Sequence, residues 1–214
     1  MKKTILFIPL ILTSTLFAQF NYNISNITEE VKTRMLQADS WRETCPVHLT
    51  DLRYINVNHL DFNGETVSGE IIVHKEVADE LVNIFAELYE IGYPIRQMRL
   101  VSDFNADDWE SIEADNTSAF NCRPVTGKKK KWSKHAYGRA IDINPIENPY
   151  VSRKGHISHK ASWQYKKRRH RKATPADKAV LLKYDKATKI FKKYGWSWGG
   201  DWRTIKDYQH FVKK

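Results

Sequence analysis

The apolar residues of this chain change their spacing between residues 52 and 101, and that change limits the folds it can adopt. Apolar and polar residues alternate over 52–62, Asn63-Gly64 follows, and a second apolar run covers 69–73. Two such runs around an Asn-Gly pair are typical of an antiparallel hairpin. Over 77–89 the apolar residues recur at helical spacing instead. A hairpin that runs into a helix, without regular strand–helix alternation, predicts an α+β fold.

The other periodic segments are shorter. Their spacing predicts helices over 26–36 and 175–194, and strands over 95–101, 140–144 and 208–212. Over 102–134 the periodicity disappears and Asn, Asp, Ser and Gly accumulate, which is typical of a long functional loop. We therefore expect a small antiparallel sheet flanked by helices, with a functional loop leading into the C-terminal part.

The first residues have the pattern of a secretory signal peptide. Two lysines follow Met1, an apolar run covers residues 5–12, and small residues precede Gln19. The pattern predicts a signal peptide over 1–18, cleaved near Ala18, and the alternative is an uncleaved segment that tethers the protein. The apolar run is too short to span a bilayer comfortably. We expect an exported protein, periplasmic or extracellular, in which residues 19–214 form a single domain.

The chain is strongly basic, with a formal net charge of +10 and a pI near 9.5. Such a charge suits nucleic acids or anionic envelope polymers, and predicted export excludes nucleic acid as the expected partner. Residues 153–172 are rich in Lys and Arg and contain no acidic residue. This segment is interpreted as a loop insertion that attracts an anionic polymer, covers a cleft, or is simply solvated. Its His156 and His159 lack the carboxylate or cysteine expected of a second metal site.

The only two cysteines are Cys45 and Cys122. An oxidising destination predicts a disulfide between them, which would hold an N-terminal segment beside the later loop. Two unpaired thiols are the alternative.

Two short segments carry residues that bind metals. In the first, His135 and Asp142 lie on either side of a glycine that can turn them toward one point. In the second, His210 projects from one face of an extended chain, and Asp207 lies just before it. Two imidazoles and one carboxylate suit Zn²⁺, and three protein ligands leave the fourth position to water. We predict zinc on His135, Asp142 and His210, with Asp207 as general base and acid.

These motifs resemble those of a known family. The residues concerned are, in chain order, Ser133-x-His135-x-x-Gly138-x-Ala140-x-Asp142, Trp198-Gly199-Gly200-Asp201-Trp202 and Asp207-x-x-His210-Phe211. In order and spacing they are similar to those of the zinc D-alanyl-D-alanine carboxypeptidase and L-alanyl-D-glutamate endopeptidase family, which processes peptidoglycan stem peptides. The resemblance covers the motif-bearing region, about residues 100–214. It implies the fold shared with Hedgehog signalling domains, the same three zinc ligands, and Asp207 as the catalytic carboxylate.

The resemblance also implies an arginine that stabilises the oxyanion formed when water attacks the carbonyl. Arg123 is the candidate, because a planar guanidinium beside a disulfide and a proline would be preorganised for that charge. Arg96 and Arg99 are the alternatives. The chain departs from the family pattern where Asp103-Phe104-Asn105 stands in place of an aromatic–arginine pair. Ser133 is expected either to bind substrate, as its counterpart does in the family, or to cap the turn.

The leading hypothesis is a zinc peptidase that hydrolyses D-amino-acid-containing peptidoglycan stem peptides with metal-activated water. The tryptophan motif resembles the endopeptidase branch, and D,D-carboxypeptidase activity is the other possibility. The alternative from another class is a non-catalytic, zinc-containing module that binds the cell wall. Binding alone does not require a carboxylate beside the metal, so Asp207 favours catalysis.

Overall fold

The computed structural model describes residues 19–169 and 174–214, without the side chain of residue 129. The predicted signal peptide over 1–18 lies outside the described residues, as do residues 170–172 of the basic segment and residue 173 after it. Within the described ranges, no helix is long and apolar enough to cross a membrane.

The chain is a mixture of short strands and helices, as the α+β prediction requires. The helices are α1 Glu29–Gln37, α2 Lys75–Glu90, α3 Asp108–Glu113, α4 Pro175–Lys178 and α5 Lys186–Lys193. The first strands are β1 Tyr22–Ser25, β2 Leu52–Leu60, β3 Thr66–His74, β4 Gln97–Met98, β5 Asn116–Thr117, β6 Pro124–Val125 and β7 Lys128–Trp132. The later strands are β8 Ala140–Asp142, β9 Tyr150–Val151, β10 Ser197–Trp198, β11 Lys206–Asp207 and β12 His210–Val212.

The predicted hairpin supplies two strands, β2 and β3, of an antiparallel sheet with the order β1-β2-β3. Its turn is built by Asp61, whose Oδ1 accepts hydrogen bonds from the backbone N–H groups of Asn63 at 2.7 Å and Glu65 at 2.9 Å. The strands then pair from Leu60 opposite Thr66 to Leu52 opposite His74. Helix α2 begins directly after β3, and the structure confirms the helix predicted from the spacing over 77–89.

A second antiparallel sheet, with the order β10-β12-β8, lies in the C-terminal part. Its central strand β12 contributes Phe211, which is fully buried and stacks on Phe191 of α5 with ring centroids 3.9 Å apart. The same core includes the apolar faces of β2, β3 and α2. Both three-stranded sheets and helices α2 and α5 therefore share one core, which fixes the C-terminal sheet relative to the first hairpin.

A smaller core holds the N-terminal helix α1 against the sheet through residues that include Val31, Met35 and Leu52. The predicted disulfide belongs to this cluster. Cys45 and Cys122 are bonded, with Cα atoms 5.9 Å apart. The bridge fixes the segment that leads from α1 to β2 beside the chain that enters β6.

The single helix predicted over 175–194 is wrong, because the chain leaves the helix between α4 and α5. The N–H of Leu181 donates to Oδ1 of Asn148 at 2.8 Å, and its carbonyl accepts from the guanidinium of Arg168 at 2.9 Å. These partners replace the bonds that a continuous helix would make. A new helix begins after Asp185, whose side chain accepts from the N–H of Thr188 at 2.6 Å.

The expected strand over 95–101 is reduced to β4, and the expected loop over 102–134 contains α3, β5, β6 and β7. Helix α3 has six residues and begins at an Asp107 side chain that accepts from the N–H of Trp109 at 2.7 Å. Elements of two to six residues are too short to show a repeat in their apolar spacing. The pattern therefore indicated a loop where the chain forms short elements.

The described part of the basic segment is packed against the domain. It contains a 3-10 helix, Lys160–Tyr165, and ends beside Arg168. The guanidinium of Arg168 donates to the carbonyl of Glu147 and to Oδ1 of Asn148, the latter at 2.6 Å, and lies over the ring of Tyr208 at 4.3 Å. A simple solvated loop does not describe this part of the segment.

Candidate metal centre

Two of the predicted metal ligands are neighbours across a pair of strands. Asp142 at the end of β8 lies opposite His210 at the start of β12. Directly opposite residues of an antiparallel pair project to the same side. Nδ1 of His210 is accordingly 2.9 Å from Oδ1 of Asp142. The register of a short buried sheet therefore sets this part of the site.

His135 comes from a 3-10 turn, His135–Tyr137, that closes toward the same point. Its Nε2 is 3.2 Å from Oδ2 of Asp142 and 3.2 Å from Nδ1 of His210. Its other nitrogen, Nδ1, is 2.6 Å from the carbonyl oxygen of Ala119. Because a carbonyl only accepts, Nδ1 carries the proton and Nε2 presents its lone pair to the cluster.

Gly138 holds this turn against the first sheet. Its φ is +65°, and its carbonyl accepts from the N–H of His74 at 2.9 Å. A Cβ at this position would stand 2.5 Å from that backbone nitrogen. Only glycine gives both the left-handed conformation and the close approach of the two backbones.

The donor set fits a metal ion. One ligand atom from each of His135, Asp142 and His210 lies within 4.8 Å of the others, and both histidines are buried. Burial by itself raises the pKa of Asp142, but the two histidines outweigh it and hold that pKa well below its ordinary value. Burial lowers the pKa of His210, and the bond to Asp142 more than reverses this effect. The carboxylate is thus kept charged in a buried place, as a cation site requires.

Asp207 lies beside the cluster on β11. Its Oδ1 is buried and has no hydrogen-bond partner among the residues that the structure describes. Burial, followed by the charge of Asp142, raises the pKa of its carboxyl to about 6. The charges of His210 and His135 and the side chain of Gln209 lower that pKa, but burial and Asp142 outweigh them. Asp207 thus adds a carboxyl beside the three candidate ligands and is not one of the residues whose donor atoms converge.

The tryptophan motif packs against Asp207 and the candidate ligand His210. A Cβ on Gly199 would overlap the carbonyl oxygen of Asp207 and approach its Cβ to 2.9 Å. Trp198 is buried and donates through Nε1 to the carbonyl of Tyr208 at 2.8 Å. Trp202 lies beside the candidate ligand His210, with ring centroids 5.5 Å apart. Of the motif's aromatic residues, Trp198 is therefore core, whereas Trp202 flanks the site.

The remaining members of the tryptophan region lie away from the ligands. Trp196 is fully buried in the main core and donates to Glu80 at 2.6 Å. Asp201 pairs with Lys192 at 2.6 Å.

Arg123 and Ser133 lie at the base of the β6–β7 hairpin, where the N–H of Ser133 donates to the carbonyl of Arg123 at 3.0 Å. The charge of Arg123 is one of the influences that lower the pKa of His210, although the bond to Asp142 outweighs it. Oγ of Ser133 is 3.3 Å from the N–H of His135, so the hydroxyl accepts from the turn that carries a ligand. The structure thus places both residues beside the cluster, and Ser133 in a capping contact.

The alternative arginines make other contacts. Arg96 lies over the ring of Phe62 at 4.3 Å and 3.7 Å from Asp115. Arg99 lies over Phe104 and pairs with Asp103 at 3.2 Å. Asp103 belongs to the sequence that stands in place of the family's aromatic–arginine pair.

Residues that the sequence did not single out complete the surroundings. Asp108 of α3 forms an ion pair with Arg123 and also accepts from Nδ2 of Asn121 at 2.9 Å. Tyr150 on β9 is the register partner of Asp207. The sequence offered one signal for α3, the pair Asp107-Asp108 ahead of Trp109. A strand of two residues such as β9 is too short to produce a recognisable sequence pattern.

A buried site with three convergent donors and an adjacent, unligated carboxylate is typical of metal-dependent hydrolases. Residues 126–213 match a family model described as D-alanyl-D-alanine carboxypeptidase. Over these residues the chain is similar to that peptidase family, which confirms the resemblance inferred from the motifs. The match includes Ser133, the three candidate ligands and Asp207, and it begins three residues after Arg123. Comparisons with curated proteins and with solved structures gave no significant match.

Proposed function

We propose that this protein is a zinc-dependent peptidase that cleaves D-amino-acid-containing stem peptides of peptidoglycan. The observation that carries the proposal is the convergence of His135, Asp142 and His210 beside the buried carboxyl of Asp207. Two imidazoles and one carboxylate match the ligand sets of catalytic zinc sites. When bound there, zinc would act as a Lewis acid on the scissile carbonyl and would lower the pKa of a water molecule.

The chain's own residues would move the protons. In our proposal, Asp207 takes the proton from the attacking water and then delivers it to the amine of the leaving group. Its position supports this role, because one carboxyl oxygen has no hydrogen-bond partner among the described residues and is therefore free to accept a proton. Because Gly199 has no side chain, the backbone and Cβ of Asp207 pack directly against it, and this contact helps to position the carboxyl.

Arg123 would stabilise the negative charge that develops on the carbonyl oxygen. Its ion pair with Asp108 orients the guanidinium, and its influence on His210 indicates that its charge extends over the site. Ser133 would hold a substrate carboxylate or amide in addition to capping the turn of His135. Both roles require that the side chains act on substrate and leave metal binding unchanged.

The wider setting is part of the same proposal. An exported protein, periplasmic or extracellular, would meet peptidoglycan, and the disulfide suits an oxidising compartment. The net charge of +10 would attract the protein to anionic envelope polymers over a long range. The arrangement of the fold would be the one shared with Hedgehog signalling domains and D,D-peptidases.

The test is product analysis with the mature, zinc-loaded protein. A synthetic stem pentapeptide ending in D-alanyl-D-alanine and an L-alanyl-D-glutamyl peptide are incubated with it, and the products are identified by mass spectrometry. The wild type should release a defined fragment from one of them, and the masses identify the bond. His135→Ala should lose both bound zinc and turnover. Asp207→Asn should keep one zinc per chain and lose turnover by about 10²–10⁴-fold.

Two results would contradict the proposal. Intact peptides despite stoichiometric zinc would favour the alternative, a zinc-containing module that binds the wall without cleaving it. Wild-type turnover in Asp207→Asn would remove the proposed proton carrier. Retention of pelleted wall material by the inactive protein would then measure binding directly.

A further inference from the structure

Trp109 lies half exposed on α3, immediately after the residue that pairs with Arg123. Its exposed fraction is 51%. The indole ring lies against the imidazole of His159, with ring centroids 3.9 Å apart and ring planes 32° apart. Large aromatic rings that remain open to solvent commonly mark contact surfaces, because burying them yields much binding energy.

The partner ring is held firmly in place. Nδ1 of His159 is 2.6 Å from Oε1 of Glu113, and its side chain is only 11% exposed. Trp109 and Glu113 are both on α3, so one short helix supplies both contacts. The basic segment is thereby fastened to α3 at His159, and the Trp109–His159 pair forms a preorganised surface.

This surface is connected to the candidate metal centre. Asp108 forms the ion pair with Arg123 and accepts from Nδ2 of Asn121 at 2.9 Å. The backbone N–H of Asn121 in turn donates to the carbonyl of His135 at 3.4 Å. Trp109 is therefore one residue away from a side chain that is tied to a predicted ligand and to the proposed oxyanion group.

We propose that the Trp109–His159 pair is a subsite for a sugar ring of the glycan strand. The inference rests on the proposed function, because stem peptides are joined to an N-acetylated amino sugar, so a bound peptide brings a sugar with it. A pyranose ring presents a face of C–H groups that packs on an aromatic ring, while its hydroxyl and acetamido groups remain free for water and polar side chains. The pair provides such an aromatic face, next to the Asp108 that pairs with Arg123. The enzyme would accordingly prefer peptides that are still attached to glycan.

The experiment compares two substrates that differ only in the sugar. Hydrolysis of a disaccharide-linked stem peptide is measured beside hydrolysis of the same peptide without sugars. Trp109→Leu, which keeps apolar volume but removes the planar ring, should lower kcat/KM about tenfold for the disaccharide-linked peptide and leave the free peptide within twofold. Trp109→Phe should retain most of the preference. Tyr184→Ala is the matched control, because Tyr184 is an exposed aromatic residue, 73% exposed, outside this surface.

Three outcomes decide the proposal. Equal losses on both substrates in Trp109→Leu would overturn it in favour of a structural role or a contact with the peptide, and unchanged kinetics on both would overturn it as well. If the wild type cleaves neither substrate, the proposed function fails and the sugar subsite is judged by binding alone. Calorimetric titration with the tetramer of N-acetylglucosamine should then show binding that Trp109→Leu loses. Absence of binding to the wild type would overturn the subsite.

Discussion

Removal of the disulfide should cost this protein a large part of its stability. Cys45 and Cys122 are separated by 77 positions in sequence. In the chain-entropy model, a crosslink that closes a loop of this length restricts the unfolded ensemble by about 4.5 kcal/mol at 25 °C. Total stabilities are about 5–15 kcal/mol for ordinary domains, so the loss leaves a marginal fold.

The assay is urea unfolding of the oxidised wild type and of the double variant Cys45→Ala/Cys122→Ala, followed by circular dichroism. Alanine is chosen because Cys122 is buried, so a hydroxyl would add a desolvation cost. With a slope of about 2 kcal/mol per molar urea, the midpoint should fall by about 2 M. Chemically reduced wild type should unfold at nearly the same midpoint as the variant.

The result that would refute the reasoning is a loss below about 1 kcal/mol with an unchanged slope. Such a result would mean that the N-terminal segment is held by its apolar contacts alone. Zinc stoichiometry below the transition should not change in either case, because the disulfide belongs to the smaller core and the three candidate ligands do not.

Three further predictions concern the oxyanion group, a buried acid pair and a turn. Arg123→Lys should lower kcat about 100-fold with zinc content unchanged, since a point charge replaces a planar donor, and equal kcat values would exclude the role. Glu147 faces Asp115, Tyr165 and the more distant Arg96, and burial followed by the charge of Asp115 raises its pKa to about 9 from 4.5. The folded state therefore keeps a proton that the unfolded state loses, so the stability of the wild type should fall between pH 5 and pH 9 by up to about 1.4 kcal/mol per pH unit. Glu147→Gln should flatten this fall in thermal melts, and parallel pH curves would contradict the assignment. Gly138→Ala should cost about 1–3 kcal/mol more than Gly92→Ala in urea unfolding, because both have positive φ but only Gly138 lies against a backbone; equal midpoints would contradict the steric argument.

The sequence predicted those parts of the fold that depend on local spacing. Strands β2 and β3 and helix α2 have enough residues for the period of their apolar residues to show. The turn between the strands was indicated by its residue types, Asn63-Gly64. The break between α4 and α5 could not be predicted in this way. It depends on Asn148 and Arg168, which bind Leu181 from distant positions in the chain.

In the candidate site, too, residues with a local sequence signal were predictable and residues brought together by the complete fold were not. The residue types and spacing of His135, Asp142 and His210 were enough to predict a common ligand set, and the structure brings their donor atoms together. The neighbours that orient the site were not predictable. Asp108 and Trp109 belong to a six-residue helix, and their partners Arg123 and His159 are brought near only by the complete fold.

The pairing of β8 with β12 also sets the order in which this protein can mature. Asp142 and His210 are 68 positions apart, and the two strands must pair before three donors exist. Both cysteines precede Asp142 in the chain. A polypeptide that emerges from its N-terminus can therefore oxidise its crosslink while a complete metal site is still missing. A metal ion would therefore meet all three donors only after β12 has paired with β8, so the compartment in which that pairing occurs determines which ions are offered to the site.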